Sequence, residues 1–315
     1  MTATDESHEA KVANFYDEDT GEGAGLAYTR LMGQVWHHGD AQVEKAGGSL
    51  QEAAEAMQRR LLRYAQVGPG DRVLDFGSGP GGASVAMAAI SGAVFVGVSN
   101  TESLSRRARR FAADRAMSDR ATFLTIGDLD YRTLQAWPDG SFDAVMFLES
   151  VCHLPDKQAF FHAAHRVLRP GGKLVGLDWV QRPWGDYQTA EQRAPIIGPV
   201  CEYIRLAGLG TVRQYAQMMQ VAGFEVEVAA DEFEGELCWG STPPDDQQGW
   251  LRYGPSGNLF HDGKQALDRA RGAGVFSVAW WAATRRAAVK VESQQGSLGS
   301  LTVENPSAAA VPGRR

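Results

Sequence analysis

The chain lacks the features that mark disulfide-stabilised, zinc-binding and membrane-spanning proteins. Its 315 residues include only three cysteines, Cys152, Cys201 and Cys238, which are widely spaced and form no C-x-x-C pair. Neither a disulfide framework nor a zinc site is therefore predicted, and no metal ligand is assigned. No apolar run approaches the roughly 18 residues that a membrane-spanning helix needs. Because the N-terminus is polar and acidic rather than signal-like, we expect a cytoplasmic protein without stable membrane insertion.

An excess of positive charge is also missing. The formal net charge is -7, which argues against nucleic acid as a partner. Basic residues do cluster at Arg59, Arg60 and Arg63 and again at 106–110. Both clusters are mixed with apolar residues at helical spacing, so they are either solvated helix faces or a local site for one anionic substrate group.

What the sequence does contain is a regular alternation of strand and helix patterns. The predicted strands are 72–76, 93–98, 121–126, 143–148, 173–179, 224–229 and 274–284. The predicted helices are near 83–90, 101–117 and 157–167, with a further one from Thr211 to Ala222. Alternation of this kind predicts an α/β fold with a doubly wound, mostly parallel seven-stranded sheet.

The organisation along the sequence follows from composition and periodicity. Helical spacing of apolar residues predicts a helical cap over 1–66, of which the first twelve or so residues are polar and expected to be mobile. We place the core domain at 67–290, with a tight turn at 170–172 and a helical lid insertion over about 181–222. The tail 291–315 is rich in Ser, Gly, Ala and Pro and is expected to be disordered.

The run from Arg72 to Gly82 is the most informative part of the sequence. It reads as a short apolar strand, a glycine turn and the start of a helix, with Asp75 just before the turn. This geometry presents free backbone N–H groups to a nucleotide-like ligand. Gly77, Ser78 and Gly79 are therefore predicted to form a cofactor cradle.

Polar residues also follow the next strands. Parallel strands place their carboxyl ends at one edge of the sheet, where ligands bind at the switch point of strand order. The further candidate cofactor residues at these ends are Ser99, Asn100, Asp128, Leu129 and Leu148. Glu149 and His153 follow the fourth strand and are the candidate catalytic residues, although a cap or a buried structural histidine are the plainer alternatives.

The stretch 71–179 resembles the core of class I S-adenosylmethionine (SAM) methyltransferases, including the turn Arg169–Gly172. Glu149-Ser-Val-Cys-His153 resembles a segment of the C-methyltransferases that act on sterols, and geranyl diphosphate C-methyltransferases share a carboxylate at the position of Glu149. The segments 15–17 and 35–39 resemble the N-terminal region of sterol, tocopherol and terpenoid methyltransferases. Sarcosine and dimethylglycine N-methyltransferases resemble the core as well. The resemblance implies a Rossmann-like fold that binds SAM and releases S-adenosylhomocysteine.

The chemistry of an alkene acceptor suggests roles for the remaining residues. Methylation of a double bond leaves a carbocation, which aromatic faces stabilise and a base must deprotonate. Glu149 is the expected base, and His153, four residues later, is expected to orient it or relay the proton. The candidate substrate-binding aromatics, each of which is alternatively plain packing, are Tyr16, Tyr28, Trp36, Trp179, Tyr187 and Trp239.

We therefore expect a C-methyltransferase for a small apolar or prenylated substrate of secondary metabolism, acting as a homo-oligomer. The alternatives are a small-molecule N- or O-methyltransferase and a SAM-binding regulator without turnover. Mg²⁺ is implied only if the acceptor carries a diphosphate. Asp245 and Asp246 could hold it, or could lie in a solvated loop.

Overall fold

The architecture is built on one sheet. The structure is a computed structural model that describes residues 6–21, 23–127, 134–183, 190–238 and 259–286. The strands in these ranges are β1 (Arg72–Phe76), β2 (Val94–Ser99), β3 (Ala121–Thr125), β4 (Phe142–Leu148), β5 (Leu168–Gln181), β6 (Phe224–Asp231) and β7 (Phe276–Arg285). Their spatial order is β3-β2-β1-β4-β5-β7-β6.

The direction of the strands matches the doubly wound class. Strands β1 to β5 pair in parallel, whereas β7 runs antiparallel between β5 and β6. Strand order reverses between β1 and β4, which is where an open α/β sheet leaves a crevice for a ligand. The predicted mostly parallel seven-stranded fold is confirmed.

Helices cover both faces of this sheet. They are α1 (His8–Tyr16), α2 (Ala24–Met32), α3 (Ala41–Lys45), α4 (Leu50–Ala65), α5 (Gly82–Ser91), α6 (Glu102–Asp114), α7 (Lys157–Val167), α8 (Ala190–Tyr203), α9 (Val212–Val221) and α10 (Leu259–Gly272). Successive side chains of β4 pack on opposite faces of the sheet. Met146 packs in the core that α4 and α5 cover, and Phe147 packs in the core that α7 and α9 cover. Helices α8 and α9 lie within the proposed insertion 181–222.

The N-terminal segment is ordered further toward its start than predicted. Helix α1 begins at His8, because the Ser7 hydroxyl caps it by accepting the N–H of Ala10 at 3.1 Å. Phe15 packs into the core, and Val12 is buried where it lines a cavity. The expectation that the first twelve or so residues are mobile is therefore wrong for residues 8–12. Their overall polar composition hid the few buried positions that hold this helix in place. The tail 291–315 lies outside the described residues, and the domain boundaries stay a prediction.

The turn predicted at residues 170–172 is not a separate connection. Strand β5 starts at Leu168, and its pairing with β4 shifts register after Phe142. Gly171 has φ +80°, so the extra residues form an irregularity within the strand rather than a turn before it.

Candidate active site

One cavity lies at the carboxyl ends of β1, β2 and β4, beneath the N-terminal helices. Its volume is about 960 Å³, open mouth included. The core lines it with Asp75, Gly77, Ser78, Gly79, Ser99, Asn100, Leu148, Glu149, His153 and Trp179, among others. The cap contributes a second set that includes Val12, Tyr16, Tyr28, Gln34, Trp36, His37 and His38. Most of the candidate site residues thus meet in one place.

The glycine loop forms one wall of this cavity. The N–H groups of Gly77 and Ser78 donate to the carbonyl of Val98 at 3.0 and 2.9 Å, which ties the loop to β2. Gly79 has φ +52°, and a Cβ there would meet nothing nearer than Trp36 Cε3 at 3.6 Å. The loop therefore presents open backbone to the cavity, as a cofactor cradle requires.

Asp75 supplies a carboxylate to the same wall. Its Oδ2 accepts a hydrogen bond from Ser84, while the buried Oδ1 has no hydrogen-bond partner among the described residues. Burial raises the pKa of Asp75 to about 6, and the Ser84 hydrogen bond only partly opposes this. A carboxyl group with an acceptor oxygen that no described protein group uses is suited to bind a positively charged ligand such as SAM.

The second strand end places two neutral polar groups beside the cradle. Ser99 and Asn100 line the cavity, and each also holds the protein together. Ser99 Oγ accepts the N–H of Thr101 at 3.1 Å, and Asn100 Nδ2 donates to the carbonyl of Glu9 at 3.1 Å. Asn100 thereby links the core to α1. The candidates Asp128 and Leu129 lie outside the described residues.

Glu149 is held by a partner that the sequence did not identify. The backbone N–H of His38 donates to Oε1 at 2.7 Å, and the imidazole Nδ1 lies 3.0 Å from both carboxylate oxygens. The indole N–H of Trp179 donates to Oε2 at 2.7 Å. The sequence marked His38 only as part of the segment 35–39, which resembles the N-terminal region of sterol, tocopherol and terpenoid methyltransferases. The only other feature of the sequence that could have drawn attention to His38 is the pair of histidines directly after Trp36.

These hydrogen bonds keep Glu149 ionised. Burial alone raises the pKa of this carboxyl group, but the charge and hydrogen bonds of His38 outweigh it. The pKa of Glu149 therefore ends below its ordinary value. A buried anion thus faces the cavity beside the cofactor cradle.

His153 does not orient Glu149, so this part of the prediction is wrong. A one-turn 3₁₀ helix, Val151–His153, follows Glu149 and turns the histidine elsewhere. His153 Nδ1 donates to the carbonyl of Arg205 at 2.9 Å, which leaves Nε2 to accept the Tyr16 hydroxyl at 3.1 Å. Burial lowers the pKa of His153 to about 4, so the ring is neutral at physiological pH.

Aromatic rings form the roof of the cavity. The ring centroids of Tyr16, Tyr28 and Trp36 lie 5.6–6.0 Å from one another, and all three line the cavity. Burial raises the pKa of Tyr28 well above its ordinary value, so its hydroxyl stays neutral. Trp179 of β5 also lines the cavity. Tyr187 and Trp239 lie outside the described residues.

The basic cluster Arg59, Arg60 and Arg63 does not line this cavity. Arg60 forms ion pairs with Asp40 and Glu232, and the exposed Arg59 pairs with Glu55 at 2.7 Å. No lysine or arginine is among the described residues that line the cavity. Asp245 and Asp246 lie outside the described part of the sequence.

Comparisons with known proteins agree with this geometry. A family model described as "Methyltransferase domain" matches residues 74–176. The 27-O-demethylrifamycin SV methyltransferase of Amycolatopsis mediterranei (strain S699) is 32% identical over 65% of this chain and 73% of its own length. The chain belongs to the class I SAM-dependent methyltransferases. The predicted resemblance is confirmed.

One further relative and one solved structure extend the comparison of this methyltransferase. The 24-methylenesterol C-methyltransferase 2 of Oryza sativa subsp. japonica is 31% identical over 71% of the chain, which spans only 60% of that enzyme. The geranyl diphosphate C-methyltransferase of Streptomyces coelicolor A3(2) shares the fold with a TM-score of 0.65 and 19% identity. Its match covers 90% of this chain and 99% of that one. In the described part of this methyltransferase, no helix has the length and apolarity to cross a membrane.

Proposed function

We propose that this methyltransferase is a C-methyltransferase that methylates a carbon–carbon double bond of a prenyl or terpenoid acceptor. The observation that carries the proposal is the ionised, buried carboxylate of Glu149, which faces a cavity roofed by aromatic rings. The sterol C-methyltransferase and the geranyl diphosphate C-methyltransferase among its relatives support an alkene acceptor.

SAM is suited to the cradle formed by Asp75 and the glycine loop. Asp75, Gly77, Ser78 and Gly79 would hold SAM, with Ser99, Asn100 and Leu148 beside them, and Asp128 and Leu129 stay candidates. When bound, SAM supplies a methyl group on a sulfonium, and its transfer to an alkene carbon leaves a cation on the neighbouring carbon of the acceptor. Asn100 ties the cap to the core through the carbonyl of Glu9, and a cap over the cavity limits the access of water that would quench such a cation.

Glu149 then has two tasks. Its negative charge stabilises the cation in a site from which water is excluded, where electrostatic attraction is strong. It next accepts a proton from the carbon adjacent to the cation, and the electrons of that C–H bond form the new double bond. A lowered pKa makes Glu149 a weak base, but an alkyl cation is so strong an acid that ionisation matters more than basicity. Cyclisation is the other outcome for the same cation.

The test is Glu149→Gln, which keeps the shape of the side chain and removes its charge. We expect SAM binding by calorimetry to be unchanged and turnover of prenyl acceptors to fall at least about 100-fold, as for the loss of a charged group at a reacting centre. Glu227→Gln is the control. Glu227 on β6 pairs with Lys173 at 2.8 Å and does not line the cavity, so this variant should retain turnover. Unchanged turnover of Glu149→Gln would remove Glu149 from the reaction.

O-methylation is a second candidate, favoured by the pair Tyr16 and His153. The neutral His153 presents Nε2 toward the Tyr16 hydroxyl in the same cavity, so the pair can accept the proton of a substrate hydroxyl. The similar rifamycin enzyme is named for a 27-O-demethylated substrate. Under this alternative His153→Ala abolishes turnover of a hydroxylated acceptor and Glu149→Gln does not. A panel of prenyl diphosphates, prenylated phenols and amines with labelled SAM separates the two candidates.

A further inference from the structure

Three consecutive residues of β5 hold the turn that follows β4. The carbonyl of Leu177 accepts the N–H of Glu149 at 2.7 Å. Asp178 Oδ2 accepts the N–H of Cys152 at 2.9 Å, and the indole of Trp179 donates to Glu149 Oε2 at 2.7 Å. One short piece of strand therefore fixes both the backbone and the side chain of Glu149.

The turn needs such support because its backbone is unfavourable. Glu149 has φ +52°, a left-handed conformation that residues other than glycine rarely adopt. Strained residues of this kind persist only where the surrounding structure holds them. Leu177 holds the turn at its start, and Asp178 holds it at Cys152, three residues later.

We propose that Asp178 is a positioning residue for methyl transfer, which holds the turn 149–153 so that the Glu149 carboxylate faces the acceptor. The inference rests on the proposed role of Glu149. Asp178 does not itself line the cavity, so it acts through the turn and not by touching the acceptor.

The surroundings of Asp178 show that both of its oxygens are used. Asp178 is 0% exposed. Its Oδ1 accepts the N–H of Trp179 at 2.8 Å, and its Oδ2 accepts that of Cys152. Nothing else in the proposed mechanism accounts for a fully buried carboxyl group at this position.

The charged and titratable groups around Asp178 come from every neighbouring element. Lys157 at the start of α7 donates to the carbonyl of Leu154 at 2.8 Å, and its charge favours the ionised form of Asp178. Tyr215 from α9 also interacts with Asp178, and Glu149 disfavours its charge. Burial raises the pKa of Asp178 to about 7, while its hydrogen bonds and Lys157 pull it down. The ionised form is the one that accepts two N–H groups.

Asp178→Asn tests the proposal because it keeps the size of the side chain but replaces one acceptor oxygen by a donor. We expect kcat to fall about tenfold, as for one lost hydrogen bond to a charged group, while the Kd for SAM stays within about twofold. Hydrogen exchange at the Cys152 amide should become faster. Asp143→Asn is the matched control, because Asp143 Oδ2 also accepts a backbone N–H, that of Arg72 at 2.8 Å, at the other end of the sheet.

The double variant Glu149→Gln/Asp178→Asn shows whether Asp178 acts through Glu149. Its turnover should equal that of Glu149→Gln alone, since coupled residues are not additive. A wild-type kcat for Asp178→Asn, or a full additional loss in the double variant, would overturn the proposal. If Asp178→Asn does not fold, Asp178→Ser serves for the same measurements. Hydrogen exchange needs no turnover, so unchanged exchange at Cys152 refutes the positioning role, whereas unchanged turnover of Glu149→Gln refutes the proposed function.

Discussion

His38 contacts the carboxylate of Glu149 through both its backbone N–H and its imidazole ring. Its backbone N–H reaches Oε1 at 2.7 Å and its imidazole Nδ1 lies 3.0 Å from each oxygen. Only 7% of the Glu149 side chain and 8% of the His38 side chain are exposed. Since His38 belongs to the cap and Glu149 follows β4, the site is complete only when the cap covers the sheet.

The first prediction concerns His38→Ala. Loss of the imidazole removes the strongest influence that lowers the pKa of Glu149, so burial then raises that pKa. Glu149 must be ionised to act, and turnover should therefore decline at a higher pH than in the wild type as the solution is acidified. At neutral pH we expect a loss of about 10- to 100-fold, as for a hydrogen bond to a charged group.

The measurement is kcat as a function of pH, with His162→Ala as the control. His162 lies on α7, and its ring contacts the side chain of Gln158 on the protein surface. The control should follow the wild-type profile. An acidic limb that stays in place in His38→Ala would contradict the assignment of His38 as the group that keeps Glu149 ionised.

Much of the fold, and the set of residues at the strand ends that form the site, can be predicted from local sequence patterns. The strand predicted at Arg72–Phe76 is followed by a glycine turn, and β1 has these same bounds in the structure. Because parallel strands end at one edge, Asp75, Ser99 and Glu149 were expected together, and the cavity joins them. Strands, turns and helices are determined mainly by residues close together in the chain, so they can be predicted from the sequence.

The partners of Glu149 could not be predicted in the same way. His38 lies 111 residues before Glu149, and no local periodicity says which strand end the cap covers. The expected pairing of Glu149 with His153 assumed a helical turn between them. The positive φ of Glu149 and the short 3₁₀ helix direct His153 to Tyr16 instead.

The second prediction concerns the attachment of the cap. Arg60 is 16% exposed and bridges Asp40 of the cap and Glu232, whose side chain is 3% exposed. Arg60→Met leaves two partly buried carboxylates without their cation, which should lower the free energy of unfolding by about 3 kcal/mol. The effect is measured by denaturant unfolding.

Arg59→Met is the matched control for this variant. Arg59 lies on the same helix, and its ion pair with Glu55 is about half exposed, at 52% and 50%. Exposed pairs of this kind contribute less than about 1 kcal/mol. Equal stability of the two variants would show that Arg60 does not anchor the cap.

The third prediction is that SAM binds more tightly as the pH rises through about 6. Burial raises the pKa of Asp75 to about 6, so at acidic pH this carboxyl group is protonated and cannot attract a cationic ligand. If only the ionised form binds, linkage gives a Kd about tenfold larger at pH 5 than at pH 7. The pKa of Glu149 lies below its ordinary value and that of His153 is about 4, so both groups titrate mainly below this interval. Calorimetric titration at several pH values measures the effect, and Asp75→Asn should bind SAM weakly with no pH dependence. A Kd that does not vary with pH in the wild type would show that Asp75 carries no part of the cofactor's charge recognition.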